Sequence, residues 1–281
     1  GGTVIFGTGG MTVAGPATIT NTVGADGSID FTGAVTLGAN TDVDSNDSSV
    51  TFGGTVNGLF DLTVNAANGT ATFTGLVGNL FAPSSLTVNA ADTSFDSNVI
   101  VGSGGLTVNG SGATTTIGGN ITSGGDIIIN DSVDLNKNGS TITLTSGGSG
   151  ASQISIKGTI DSFTGTSTGL IITAGSDNVT LGDSVGTNLA LTSLAITSGG
   201  VTTLNNSIIT TGGDINLSGA TDVELGSDVT LRTTTANDVL INGGAVDGAY
   251  NLAVISGQAI TTAGIGQNIA FASISLPAAR A

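Results

Sequence analysis

Two segments have the spacing that exposes a nucleophilic serine on a tight turn: Gly165-Thr166-Ser167-Thr168-Gly169 and Gly182-Asp183-Ser184-Val185-Gly186. A serine hydroxyl is a weak nucleophile until a neighbouring base, usually an imidazole, takes its proton. The chain contains no His. Both matches are therefore read as products of a Gly-, Ser- and Thr-rich sequence, and no esterase is expected.

A second chemistry is offered by Asp42-Val43-Asp44-Ser45-Asn46-Asp47. Alternating oxygen donors suit a hard cation, which makes Asp42, Asp44 and Asn46 candidate calcium ligands. The loop departs from the complete calcium pattern in two places. Its sixth position is Asp47 rather than Gly, and its twelfth is Gly53 rather than a bidentate Glu. The competing reading is a solvated turn between Val43 and Val50. The Gly-rich stretch Gly147-Gly148-Ser149-Gly150-Ala151-Ser152 also lacks the Asp that calcium-binding nonapeptides require. Calcium is thus the single metal candidate, and no other cofactor is expected.

Asp222, Glu224 and Asp228 stand close to Arg232, a grouping that could serve acid–base cleavage of a polysaccharide. Asp222 and Glu224 alternate with Val223 and Leu225, however, so they are predicted to be the outward side of a strand. Catalysis would need converging carboxylates held at different pKa values, and the chain is expected not to be an enzyme. Thr-x-Thr runs such as Thr70-Ala71-Thr72 could form an ice-facing array if the row recurred. One period later stand Asp92 and Ser94, so the row is predicted to break. Asn-x-Ser/Thr triplets such as Asn68-Gly69-Thr70 follow from composition and do not establish glycosylation.

Charge narrows the field further. Twenty acidic residues stand against four basic ones, giving a formal net charge of −16. Nucleic-acid binding requires cations to neutralise phosphates, so that class is set aside. There is no Cys for disulfide or thiolate chemistry. No run approaches the roughly 18 consecutive apolar residues of a membrane helix, and membrane insertion is not expected.

What could position any such residues is a repeat. Val56-Asn57-Gly58-Leu59-Phe60-Asp61-Leu62 returns as Ile160-Asp161-Ser162 and as Val246-Asp247-Gly248-Ala249-Tyr250-Asn251-Leu252. A second phrase follows each copy: Val77-Gly78-Asn79-Leu80, Val185-Gly186-Thr187-Asn188-Leu189 and Ile265-Gly266-Gln267-Asn268-Ile269. Inside these modules Phe31, Phe52, Phe73, Phe95 and Ile117 recur every 21 or 22 residues. Recurrence at that period is the mark of a stacked architecture.

Pairs spaced by two, such as Ile127 and Ile129, Ile142 and Leu144, Ile215 and Leu217, and Val239 and Ile241, are predicted to point to one side of short strands. Gly, Asn, Asp and Ser fill the gaps as turns. Pro16, Pro83 and Pro277 are placed in turns or at an end. The fold class is all-β, a parallel β-solenoid of about 22 residues per coil. Residues 1–281 are expected to form one continuous array with module boundaries near 55, 159 and 245. At about 4.8 Å per coil, roughly 13 turns would make a rod about 60 Å long. Neither Gly1 to Met11 nor Ile265 to Leu276 looks like a capping coil. The chain is therefore expected to be a segment of something longer or to pair end to end.

The Gly54 to Val64 and Gly244 to Val254 phrases, with Gly124-Gly125-Asp126-Ile127 and Gly212-Gly213-Asp214-Ile215, resemble filamentous-haemagglutinin-type exoproteins and autotransporter passengers of bacteria. The resemblance covers nearly the whole chain and is carried by repeats and composition. It implies a right-handed parallel β-helix, export to the bacterial cell surface or beyond, and a role in adhesion or biofilm.

The expected function is a non-catalytic structural rod of a secreted adhesin or extracellular fibre. Alternatives are a self-assembling filament, sheath or S-layer subunit, and a carbohydrate-binding or carbohydrate-degrading β-helix. The last is disfavoured by the absence of Trp and the single Tyr250. Expected partners are further copies or flanking repeats of a longer chain, a surface glycan, or a host protein.

Overall fold

The structure is a computed structural model and describes residues 4–6, 9–110, 112, 114–147, 152–234, 237–241, 243–262 and 273–275. Arg280, Pro277, most of the Gly147 to Ser152 stretch, and most of the third copy of the second phrase (Ile265 to Ile269 included) lie outside the described residues. Two compact units are present. One comprises Gly1–Asp134 with Gly148–Gly150, the other Leu135–Gly147 with Ala151–Ala281.

No helix occurs among the described residues, and their strands pair in parallel in short three-sided coils. In the first unit, one ladder runs Val43, Val64, Val88, Val108 and Ile129. The second runs Phe31, Phe52, Phe73, Phe95 and Ile117. The third runs Val35, Val56, Val77, Val99 and Ile121. Each coil therefore contributes one inward residue or more to each of three sheets. The expected β-solenoid is present, with about 22 residues per coil.

The second unit repeats the plan. Ile142, Leu170, Leu194, Ile215, Val239 and Ile260 form one ladder. Ile160, Val185, Ile208, Leu231 and Val254 form another. The turns number about 11, not 13. Coil length is not constant: Ile142 pairs with Leu170, 28 positions on, and that coil takes in the loop after Ile160–Ser162.

The aliphatic pairs read from the sequence are buried, Ile127 and Ile129 fully and Leu217 to 1% exposure. In the first unit the core is anchored by four phenyl rings stacked in series, with centroids 5.2, 5.0 and 5.2 Å apart. Removing the side chain of Ile127 should cost about 2–5 kcal/mol. Half-buried Thr107 faces outward on the neighbouring strand, and its Ala variant should stay within about 0.5 kcal/mol of wild type. Equal shifts of the urea midpoint for Ile127→Ala and Thr107→Ala would refute the inward assignment.

Polar side chains also line up. Asn89 donates to Asn65 at 2.7 Å, Asn109 to Asn89 at 2.9 Å and Asn130 to Asn109 at 2.8 Å. Each amide thus meets its equivalent one coil away, directly after a Leu/Ile-x-Val/Ile triplet. At another corner, Gly33, Gly54 and Gly75 follow one another so closely that no side chain fits. A Cβ on Gly54 would lie 2.4 Å from the carbonyl carbon of Gly33, and one on Gly75 would lie 2.2 Å from the Gly54 oxygen.

Candidate functional site

The residues that could have done chemistry are distributed by the strand period. Asp42 and Asp44 lie on Thr41–Asp44, exposed, while Thr41 and Val43 between them are buried. The chain then turns through Asn46 and Asp47, both in the left-handed region with φ of 46° and 74°. Short polar residues tolerate that conformation better than branched ones. Asp44 accepts the Asn46 backbone N–H at 2.9 Å, and the Asn46 amide donates to Asp26 at 3.1 Å. Asp44 and Asn46 are brought together, but by their own turn hydrogen bonds. No group of three His, Cys, Asp or Glu side chains among the described residues is placed to hold a metal. With Asp44 and Asn46 engaged in this way, millimolar calcium or EDTA is expected to leave the melting curve unchanged. A calcium-dependent rise in melting temperature would restore the ion site by mass action.

Asp222 and Glu224 are exposed and alternate with buried Val223 and Leu225, which is the outward placement the sequence predicted. Asp228 does not converge on them. It accepts the Asn251 backbone N–H and side-chain amide, both at 2.9 Å. Those two bonds, the backbone one first, hold its carboxyl below the usual carboxylate value. Arg232 is exposed on Val229–Thr233. Of the two Gly-x-Ser-x-Gly serines, Ser167 is exposed, and Ser184 exchanges a 2.8 Å hydrogen bond with Thr187. A concavity of about 270 Å³ is lined by residues such as Met11, Val13, Ile19, Asn21 and Phe31, with no titratable group. The Thr row breaks where expected, Thr70 pairing with Asp92, although Thr51, Thr72, Ser94 and Thr116 continue a hydroxyl column beside it.

The arrangement that the repeat does build is a pair of stacked loops. Asn57, 8% exposed, follows Val56 at the end of a strand. Its side-chain oxygen accepts the backbone N–H groups of Leu80 and Phe81, at 2.9 and 3.2 Å. In return, Gly58 N–H donates to Phe81 O at 2.8 Å and Ser84 N–H to Phe60 O at 3.0 Å. The second unit has the same arrangement. Asp161 accepts the backbone N–H groups of Asn188 and Leu189 at 3.0 and 3.1 Å, and Ser162 N–H donates to Leu189 O.

The two repeated phrases are thus hydrogen-bonding partners one coil apart. Gly78 and Gly186 open the upper loop at φ of 72° and 68°, where a Cβ would lie 2.1 and 2.2 Å from the carbonyl oxygens of Ile100 and Ile209. Only glycine satisfies both demands. Sequence reasoning found both phrases and missed their relation. The signal was there in the shared Asn or Asp after Val/Ile, a side chain whose oxygen readily accepts nearby backbone N–H groups.

These loops carry large apolar side chains outward. Leu59 is 66% exposed, Leu80 73% and Phe81 59%. Phe163, Leu189 and Tyr250 take related places in the second unit and are also exposed.

A different polar group is hidden. Asp131 is 3% exposed; one carboxylate oxygen accepts from Thr115 at 3.1 Å, and the other has no hydrogen-bond partner of good geometry. The carboxylate lies against Gly110, where a Cβ would sit 2.1 Å from Oδ1. Burial raises its pKa; the Thr115 and Gly110 hydrogen bonds oppose that, and the Asp92 charge adds to it. A carboxyl whose pKa rises on folding stabilises the fold below its unfolded value, and that contribution is lost as pH climbs through the folded value. Asp131→Asn should therefore melt higher than wild type at pH 7, with the two curves converging in acid. A wild type that is the more stable at pH 7 would contradict this reading.

Comparison of the chain with protein-family models, curated proteins and solved structures returned no match.

Proposed function

We propose that this chain is a non-catalytic structural element of a secreted bacterial cell-surface adhesin or extracellular fibre. It would act as a rod segment that spaces other parts of an assembly. The observation that carries the reading is the continuity of the ladders. In each unit the ladders are built mainly of buried aliphatic side chains, with the phenyl stack in the first and Ser and Thr among them, and acidic groups such as Asp42, Asp44, Asp222 and Glu224 stand at outward strand positions. Such stacks derive stability from contacts between neighbouring coils, so their length can grow by adding coils.

Negative-stain electron microscopy of the purified chain tests this. Isolated rods about 50–60 Å long, at about 4.8 Å per coil, are expected. Long unbranched fibres would favour a self-assembling filament subunit, and compact particles would overturn the rod. Turnover of a polysaccharide that is abolished by Asp222→Asn would overturn the non-catalytic assignment.

A further inference from the structure

The stacked loops of the first unit present a group of large apolar side chains to solvent. Leu59 and Phe60 come from the lower loop, Leu80 and Phe81 from the upper, and all four are exposed. They are held adjacent by the Asn57 bonds to Leu80 and Phe81 and by the Gly58–Phe81 and Ser84–Phe60 backbone bonds. Ser84 Oγ adds a 3.2 Å bond to Leu59 O. The display is therefore pinned at its base, so docking there loses little backbone freedom. Two leucines and two phenyl rings presented together on an aqueous surface mark an interaction site more often than scattered apolar residues do.

The electrostatic setting selects the occupant. Residues 1–134 contain eleven Asp and no Lys, Arg or His. A second copy would bring its own formal charge of −16 against this field. A partner with cations around an apolar centre gains from both terms, because complementary charge speeds encounter while the buried apolar core holds the complex.

We propose that the loops Gly58–Asp61 and Asn79–Ser84 dock a protein segment whose apolar side chains are flanked by Lys or Arg. This goes beyond the structural role, since it names a partner chemistry that a plain spacer would not need.

The chain has no Trp, so a synthetic Leu/Lys peptide carrying one Trp reports binding through its own fluorescence. Three probes are compared at physiological salt: the Leu/Lys peptide, its Lys→Glu counterpart and its Leu→Ser counterpart. Saturable binding of the first is expected, with the other two at least about tenfold weaker. Leu80→Ser/Phe81→Ser should weaken the Leu/Lys peptide at least about tenfold, as loss of a central anchor does, with little change in melting temperature. Leu59→Ser/Phe60→Ser provides an independent variant should the first fold poorly. Equal affinity for wild type and both variants would overturn the patch as the binding site. Equal affinity for the Glu counterpart would overturn the charge requirement. A wild-type dimer in light scattering that both variants abolish would show that a second copy occupies the patch, overturning the cationic partner.

Discussion

Replacing Phe73 by Ala is expected to cost about 3–5 kcal/mol, among the largest losses for a side chain in this core. The ring is 1% exposed and lies between two others, 5.0 Å from the Phe52 centroid and 5.2 Å from that of Phe95. Truncation removes the apolar burial, opens a cavity and breaks two stacking contacts, each worth about 0.5–1.5 kcal/mol. Parallel strands fixed by main-chain bonds on both sides cannot collapse to fill the space, so little of the loss is recovered. Phe95→Ala, next to Ile117 rather than between two rings, should cost less than Phe73→Ala. Urea unfolding of the two variants measures this, and a smaller loss at Phe73 would show that stacking adds nothing beyond area.

Asn57→Ala is expected to destabilise by about 2–4 kcal/mol, because two backbone N–H groups lose their acceptor at once. Leu80 and Phe81 donate to this oxygen and have no ladder partner to replace it. Substitution by Asp should be mild, since Asp161 holds the equivalent pair of donors in the second unit. Hydrogen exchange gives a local readout. The amides of Leu80 and Phe81 should exchange much faster in Asn57→Ala, while that of Val88, in the ladder core, changes only as far as global stability falls. Protection retained at Leu80 and Phe81 would mean that other groups hold the loop.

The core was legible in the sequence because its signals are local or strictly periodic. A spacing of two placed Ile127 and Ile129 on one side of a strand, and a spacing of 21 or 22 stacked the Phe residues without reference to anything between. The same arithmetic placed Asp92 beside Thr70 and Ser94 beside Thr72. It failed where the period is not constant. Ala66 pairs 24 positions on and Thr70 only 22, because the strand bulges between them. That shift, and the 28-residue step from Ile142 to Leu170, depend on how each loop folds out. The Asn57 interaction was hidden for a related reason. Its partners lie 23 and 24 positions ahead, and only the coil geometry says which loop rests on which. Asp131 was invisible as a buried group, since an Asp after Asn130 reads as a turn residue wherever it points.

The asparagine row has a consequence for how such a gene can change. Asn89 and Asn109 each donate an amide hydrogen to the row's member in the preceding coil and accept one from the member in the next, between Asn65, which accepts at one end, and Asn130, which donates at the other, so the interior members are interchangeable. Losing or duplicating a whole coil joins one asparagine to the next and leaves every inward side chain inward. Losing a single residue inverts the strand that contains it and sends its valines into water. Unequal crossing-over between the repeated phrases therefore lengthens or shortens the chain in whole coils without loss of register, while small frame-preserving deletions within a strand are purged. Descendants of this sequence should differ in how many coils they have far more readily than in how each coil is made.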